Sequence, residues 1–420
     1  MTNAISSSDA RSVRTRGEAS NVLRWFVAGI LLLTVLAGFF DRISVAVLFS
    51  LKSFQDAMGT GFNPTLLGLL MTGFLIAYGI SGVALGWLVD FYGPRRMLGI
   101  GLVCWGGFMA LMGTAGGFVS MLIYRVLLGL AEGPQFGINN KVVQRWFKKS
   151  ERATANAVWT IGSPLGSAIG FPLTLWLVTN YGWRASFFAL AAFNILIILP
   201  LAFLFVRDFP PGPADNPELS AAVTTQSYRE SLSVLVRDPK FWMITVFGCG
   251  VLIYLWGVNS WLPSYLIREK HMDPGETSLF ASLPFILTII GQFGGAYLSD
   301  RLGRRAPVAG IGLMLAGVCI FLIAYMPSAE AAALMIALGG FFWGGATPTK
   351  YAMLADIMPP AVLATAVGIA NGTGNVVGAL APVAVGWVIG MTGSYDAGFM
   401  VLVAAAILGG AVLVPLMKRY

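Results

Sequence analysis

Charge is scarce in this chain: Asp, Glu, Lys and Arg make up 11% of its 420 residues, against about a quarter in soluble domains. With 57% hydrophobic residues, a soluble globular fold and a disordered chain are both excluded, since disorder needs low hydrophobicity. Histidine occurs once, as His271, and cysteine three times, as Cys104, Cys249 and Cys319. The cysteines sit in apolar runs without a CxxC pair, which excludes a zinc site, a redox motif and a disulfide scaffold. They are expected to pack as small hydrophobes. A single histidine also removes most metal centres and most acid–base enzymes, and no metal is expected. No GxxxxGK[ST] phosphate cradle is present, so ATP-driven pumping has no support.

What the chain does have is apolar length. A helix needs about 20 predominantly apolar residues to cross a bilayer. Twelve such runs can be laid out, at 24–51, 65–89, 97–114, 118–140, 153–178, 184–206, 240–266, 277–299, 306–326, 331–352, 361–391 and 396–416; they are numbered spans 1 to 12 below. Residues 1–23 read as a disordered tail rather than a cleavable leader, because the apolar run after Arg24 is too long for a signal peptide. The expected fold is an all-α membrane protein of twelve transmembrane helices in two pseudo-symmetric six-helix bundles, 24–206 and 240–416. A polar linker, 207–239, joins them, and 417–420 form a short C-terminal tail.

The charges test this layout. With the N-terminus inside, the inner segments hold 21 of the 27 Lys and Arg, Lys350 among them, and the outer segments only Lys52, Arg184, Arg268 and Lys270. That asymmetry is the positive-inside rule. Both termini are therefore expected in the cytoplasm, with the spans in a bacterial inner membrane. The net charge of +8 is then topology, and no nucleic-acid partner is expected. Lys141, Arg145, Lys148 and Lys149 read chiefly as topology determinants within reach of membrane lipid.

The halves repeat. DFYGPRR at 90–96 returns as DRLGRRA at 300–306, ATANAVWTIG at 153–162 as ATAVGIANGT at 364–373, and GLAEGPQ at 129–135 as GFFWGGA at 340–346. Paired halves with a site between them are the sign of a secondary transporter. The loop after span 2 places Gly86, Asp90, Gly93, Arg95 and Arg96 in the pattern GxxxDxxGxRR. This resembles the signature gating loop of the major facilitator superfamily, in which the Asp holds the cytoplasmic end of a neighbouring helix. The second copy keeps Asp300, Gly303, Arg304 and Arg305 but has Ala296 in place of the first glycine, so a looser gate is expected there.

Four charges interrupt the apolar spans: Asp41 and Arg42 in span 1, Arg125 and Glu132 in span 4. A charge at the bilayer centre costs roughly 2.5–3.5 kcal/mol on insertion scales, so these four should face one another or a water-filled cavity. Arg125, Gly129 and Glu132 share one helical face. Two acids and two bases allow a neutral internal network, and the C-terminal half is expected to carry no charge at membrane depth. Burial and a nearby guanidinium pull a carboxyl pKa in opposite directions, which suits an acid that loads and releases a proton.

These residues, together with FDRISVAVLF at 40–49, RVLLGLAEGPQFGINNKVVQRWF at 125–147 and WLPSYL at 261–266, resemble the anion:cation symporter branch of that superfamily. Its members include galactonate and hexuronate importers, tartrate and phthalate permeases and vesicular glutamate and sialic acid carriers. The resemblance implies proton-coupled uptake of a small organic carboxylate by alternating access, with protons as coupling ion and no other cofactor. It implies that Arg42 contacts the substrate carboxylate, that Asp41 and Glu132 carry protons with Arg125 in their network, and that Tyr78 hydrogen-bonds substrate. Phe39 and Ser163 stand where sugar-acid carriers tend to have Tyr and Gln. The remaining candidate lining is Phe74, Trp159, Trp256, Phe342, Trp343, Thr347, Asn371 and Asn375. So aromatic a set suits an aromatic or short dicarboxylic acid, with a sugar acid, or an exporter or uniporter on the same fold, as the alternatives. A monomer is expected. An enzyme or a receptor is disfavoured, since no nucleophile–base pair lies at membrane depth and a receptor has no need of duplicated gating loops.

Overall fold

Backbone amides in hydrocarbon have no water to bond, so an apolar run of this length satisfies them internally as helix. The computed structural model describes residues 7–85, 88–89, 92–147, 151–209, 235–358 and 363–420; Gly86, Asp90, Lys148, Lys149 and most of the linker lie outside the described residues. Among the described residues, eleven helices are long and apolar enough to cross a membrane, from Val22–Leu48 to Tyr395–Leu416. The twelfth, span 4, is present but broken into Phe118–Glu132 and Gln135–Trp146. Pro134 at the break has no N–H to offer the preceding turn, and Arg125 and Glu132 dilute the apolar run.

Residues 7–23, expected as a disordered tail, instead continue span 1 in one helix, Ser7–Leu48. Ala10, Arg11, Arg14, Arg16, Glu18 and Ala19 are good helix formers. A span already nucleated therefore propagates back through them. Where the second half begins, Asp238 caps the next helix, its side chain accepting from the Lys240 amide at 2.9 Å, and Pro239 opens it.

The internal repeat is visible in the packing. A Cβ on Gly129 or Gly133 in span 4 would strike the carbonyls of Phe74 and Tyr78 in span 2, and one on Gly340 or Gly344 in span 10 would strike those of Pro284 and Thr288 in span 8. Each half thus lets one helix pair approach backbone to backbone through two glycines one turn apart. Both pairs are related by the half-length offset of the sequence repeat.

Call the end of the bundles that carries the loops at 93–96 and 303–305 the basic end. Contacts between the halves gather at the other, far end and at mid-depth. Trp261 packs against Phe49 with ring centroids 5.4 Å apart, Arg268 lies 3.6 Å over Phe62, and Phe171 meets Phe285 at 5.5 Å. Ser282 donates to the carbonyl of Ala168 at 2.7 Å. At the basic end the hydrogen bonds and ion pairs of these loops, among the described residues, lie within each half. Gly93 has φ +83, and a Cβ there would meet the Asp208 carboxylate. Asp208 accepts from the Arg95 amide at 3.0 Å and lies 3.7 Å from Arg145, while Arg95 also donates to the carbonyl of Phe203. In the second copy Arg305 pairs with Asp300 and, at 3.3 Å, with Asp356 at the end of span 10. Gly303 takes the left-handed turn, and Arg96 and Arg304 are exposed. Among the described residues, the halves thus meet at the far end and at mid-depth.

A variant with Cys104, Cys249 and Cys319 replaced by alanine and cysteines placed at Ala168 and Ser282 should therefore crosslink readily under mild oxidation without ligand. The shift in gel mobility after protease cleavage in the linker reads the outcome, and failure to crosslink would contradict far-end closure.

Candidate functional site

The buried charges meet where span 1 crosses span 4. Arg42 donates from Nη2 to Oε2 of Glu132 at 2.8 Å, with their side chains only 2% and 0% exposed. The second oxygen of Glu132 accepts the indole N–H of Trp105 from span 3. Both oxygens of the acid are thus held by charge-assisted hydrogen bonds. Rings box the Arg42 guanidinium: Tyr78 at 4.5 Å, Phe39 at 4.6 Å, Phe74 at 5.4 Å and, from the other half, Trp256 at 5.8 Å. Their faces offset part of the desolvation cost of the cation.

Asp41, next in the chain, is also buried, and its Oδ1 has no partner among the described residues. It lies within hydrogen-bonding reach of Glu132 and in electrostatic range of Arg125 and Arg42. Arg125 departs from the expected network: no ion pair to it is found among the described residues. Its guanidinium bonds the carbonyl of Leu70 at 3.3 Å and the sulfur of Met71 at 3.2 Å and sits 4.3 Å over Phe74. The helix of span 2 captures it before it reaches an acid, and Nη1 is left without a partner.

A cavity of about 540 Å³ lies between the halves, and Arg42 lines it while Asp41, Arg125 and Glu132 do not. The acids stand one layer behind the cation. Of the other candidate lining residues, Phe39, Tyr78, Ser163, Trp256, Trp343, Thr347, Asn371 and Asn375 face this cavity. Phe74, Trp159 and Phe342 do not. Phe74 is fully buried beneath the two arginines. Trp159 is screened by Phe136, 5.1 Å away, and spends its N–H on Asn156 at 2.9 Å. Phe342, one residue from Trp343, turns about 100° away on its helix. Among the indoles that do line the cavity, that of Trp343 is committed to the Val251 carbonyl at 2.8 Å, whereas the N–H of Trp256 is free.

Sequence reasoning missed four residues. Trp105 carried no signal, being one Trp among twelve. Asp208 fell in the linker. Asn259, lining the cavity with its Nδ2 unsatisfied, looked like one polar residue in an apolar span. Lys350, two residues from the end of the expected span 10, was counted with the inner-segment charges; it is 4% exposed, inside the helix Ala329–Ile357, and lines the cavity. The C-terminal half therefore does carry a charge at depth. The seven residues of helix after Lys350, up to Ile357, were the signal that it lies inside the span.

Two helical bundles, closed at one end around a cavity with a buried cation backed by acids, define a membrane carrier. The sequence model of the Major Facilitator Superfamily matches residues 30–273 and 256–420, and the chain belongs to this family. It is 28% identical to a probable sulfoacetate transporter of Cupriavidus necator, covering 94% of this chain and 93% of that one. A hexuronate transporter of Bacillus subtilis is 26% identical, covering 90% of both. A probable galactarate/D-glucarate transporter of Escherichia coli is 27% identical, covering 98% and 96%. These relatives set the chain in an anion-transporter branch of the family. In fold, it superimposes with a TM-score of 0.76 at 18% identity on a bacterial homolog of the human lysosomal transporter Spinster, covering 94% of each chain. A D-xylose-proton symporter gives 0.74 at 14%, covering 93% and 97%.

Removing one partner of a buried ion pair strands the other, at a cost of about 3–5 kcal/mol. Arg42→Gln should therefore lower the melting temperature of the purified protein, and adding Glu132→Gln should recover much of the loss. Additive losses in this double-mutant cycle would contradict the pairing.

Proposed function

We propose that the protein is a proton-coupled importer of an organic carboxylate, a monomer in a bacterial inner membrane with both termini and the basic end in the cytoplasm. One observation carries this reading: Arg42, a cation that lines the cavity, is held by an acid that does not line it, Glu132. A substrate carboxylate can take the Arg42 guanidinium only if Glu132 lets go. A proton on Glu132 removes its claim on Arg42, and substrate and proton then enter the site together. Asp41, facing Glu132, is a second place for that proton. Arg125, tied to the backbone of span 2, keeps a fixed positive charge beside both acids. Tyr78 and the free indole N–H of Trp256 stand in the lining beside Arg42 as hydrogen-bond donors for the bound acid.

The packing supports alternating access. Among the described residues the halves meet at the far end and at mid-depth, so rocking about the mid-depth contact of Phe39 with Trp256, stacked at 6.2 Å, would expose the cavity to one side and then the other. The positive-inside asymmetry of the loops supports this orientation.

The lining favours a hydroxylated acid over an aromatic one. Asn259, Thr288, Gln292, Ser167, Asn371 and Asn375 are more polar groups than the aromatic stripe suggested, and a polyol needs such partners to replace its water. The relatives named for hexuronate, galactarate and D-glucarate point the same way. An exporter on the same cavity would differ in the direction of proton-driven flux.

In proteoliposomes an inward proton gradient should drive accumulation of the acid, and a protonophore should abolish it. Glu132→Gln should lose uphill accumulation more than tenfold while keeping exchange of internal for external substrate. Loss of both activities together, in a variant that still folds, would contradict the coupling role.

A further inference from the structure

We infer that Lys350 is a second anion anchor and that the substrate is a dianion, an acid with two acidic groups bridged between Arg42 in one half and Lys350 in the other. The inference rests on the organic-anion reading above and narrows its substrate.

A lysine that only fixes topology sits in a loop and keeps its water. Lys350 is buried within a helix whose next seven residues carry it roughly 10 Å from the end. No acid pairs with it among the described residues; its Nζ has only the side-chain oxygen of Asn371, at 3.5 Å, and the ring of Tyr351, 4.6 Å away. Asn371 also accepts from the hydroxyl of Tyr351 at 3.2 Å. All three residues line the same cavity as Arg42.

The count of charges gives the same answer. Among the described residues the buried charged side chains are Asp41, Glu132, Arg42, Arg125 and Lys350. Among these, three cations face two acids, an excess of one positive charge with both acids ionised. A proton on one of those acids raises the excess to two. A dianion entering with one proton then leaves the site neutral, whereas a monoanion leaves a buried positive charge uncompensated, which a low-dielectric interior penalises. The two anchors also belong to opposite halves. A molecule holding both would draw the two halves together, as alternating access requires, and one holding Arg42 alone would not.

Binding to purified wild type and Lys350→Gln, read by tryptophan fluorescence and thermal shift, tests this without depending on proton coupling or flux. The probes are matched pairs: galactarate and galactonate, glutarate and pentanoate, sulfoacetate and acetate. Wild type should bind the dianion of at least one pair tenfold or more tighter than its monoanion. Lys350→Gln should erase that preference while still unfolding in a single transition by thermal shift, which shows that the variant folds, and Lys350→Arg should restore it. Equal affinity for both members of every pair, binding of neither, a preference that survives in Lys350→Gln, or an equal loss for both members would overturn the inference. Failure of proton-driven uptake alongside a Lys350-dependent dianion preference would instead count against the coupling mechanism alone.

Discussion

The structure turns on one buried ion pair. Taking Arg42 and Glu132 out of water is expensive, and mutual attraction offsets the expense only when geometry is good and the leftover donors and acceptors are satisfied. Here the geometry is good and Trp105 takes the second carboxylate oxygen, while the Arg42 Nε has no partner among the described residues, and four spans supply the parts. Span 1 brings the guanidinium, span 4 the carboxylate, span 3 the indole that holds the second oxygen, and span 2 two of the rings that face the cation. The glycine pair of span 4 makes this possible, since it brings the backbone of span 4 against span 2 at Phe74 and Tyr78, the residues that box the cation.

The second half is built on the same plan without that pair. At the position that mirrors Glu132, Trp343 donates its indole to the carbonyl of Val251 in span 7, just as Glu132 reaches span 1. A neutral hydrogen bond replaces an ion pair at the same joint. One half thus holds its first and fourth helices by an interaction that a proton or an anion can break, and the other by one that neither can. The contribution of the second half to charge lies elsewhere, at Lys350, nearer the basic end.

Most of the fold was legible because bilayer thickness leaves so few solutions for long apolar runs. Eleven of the twelve spans reappear as expected, and the exception, span 4, breaks where Gly133 and Pro134 stand beside the charges. The tail 7–23 was misjudged because a short polar segment carries no hydrophobic period, and only its continuity with span 1 makes it helical. In the site, Asp41, Arg42, Arg125 and Glu132 stood out because charge at depth is costly and therefore conspicuous. Which of them pair was not legible: periodicity gives the face of a helix but not its neighbour, and Arg125 finds the carbonyl of Leu70 before an acid. Lys350 escaped because a charge two turns from a span end resembles a loop residue until the helix is seen to run on to Ile357.

The central claim is that Glu132 and the substrate compete for Arg42 and that a proton settles the competition. Substrate affinity as a function of pH, measured on purified wild type and Glu132→Gln, tests it most directly. In wild type the affinity should rise as pH falls, because a protonated Glu132 no longer holds the guanidinium, and in Glu132→Gln it should be high and independent of pH. A wild-type affinity that is flat with pH, or a variant that keeps the wild-type slope, would contradict it.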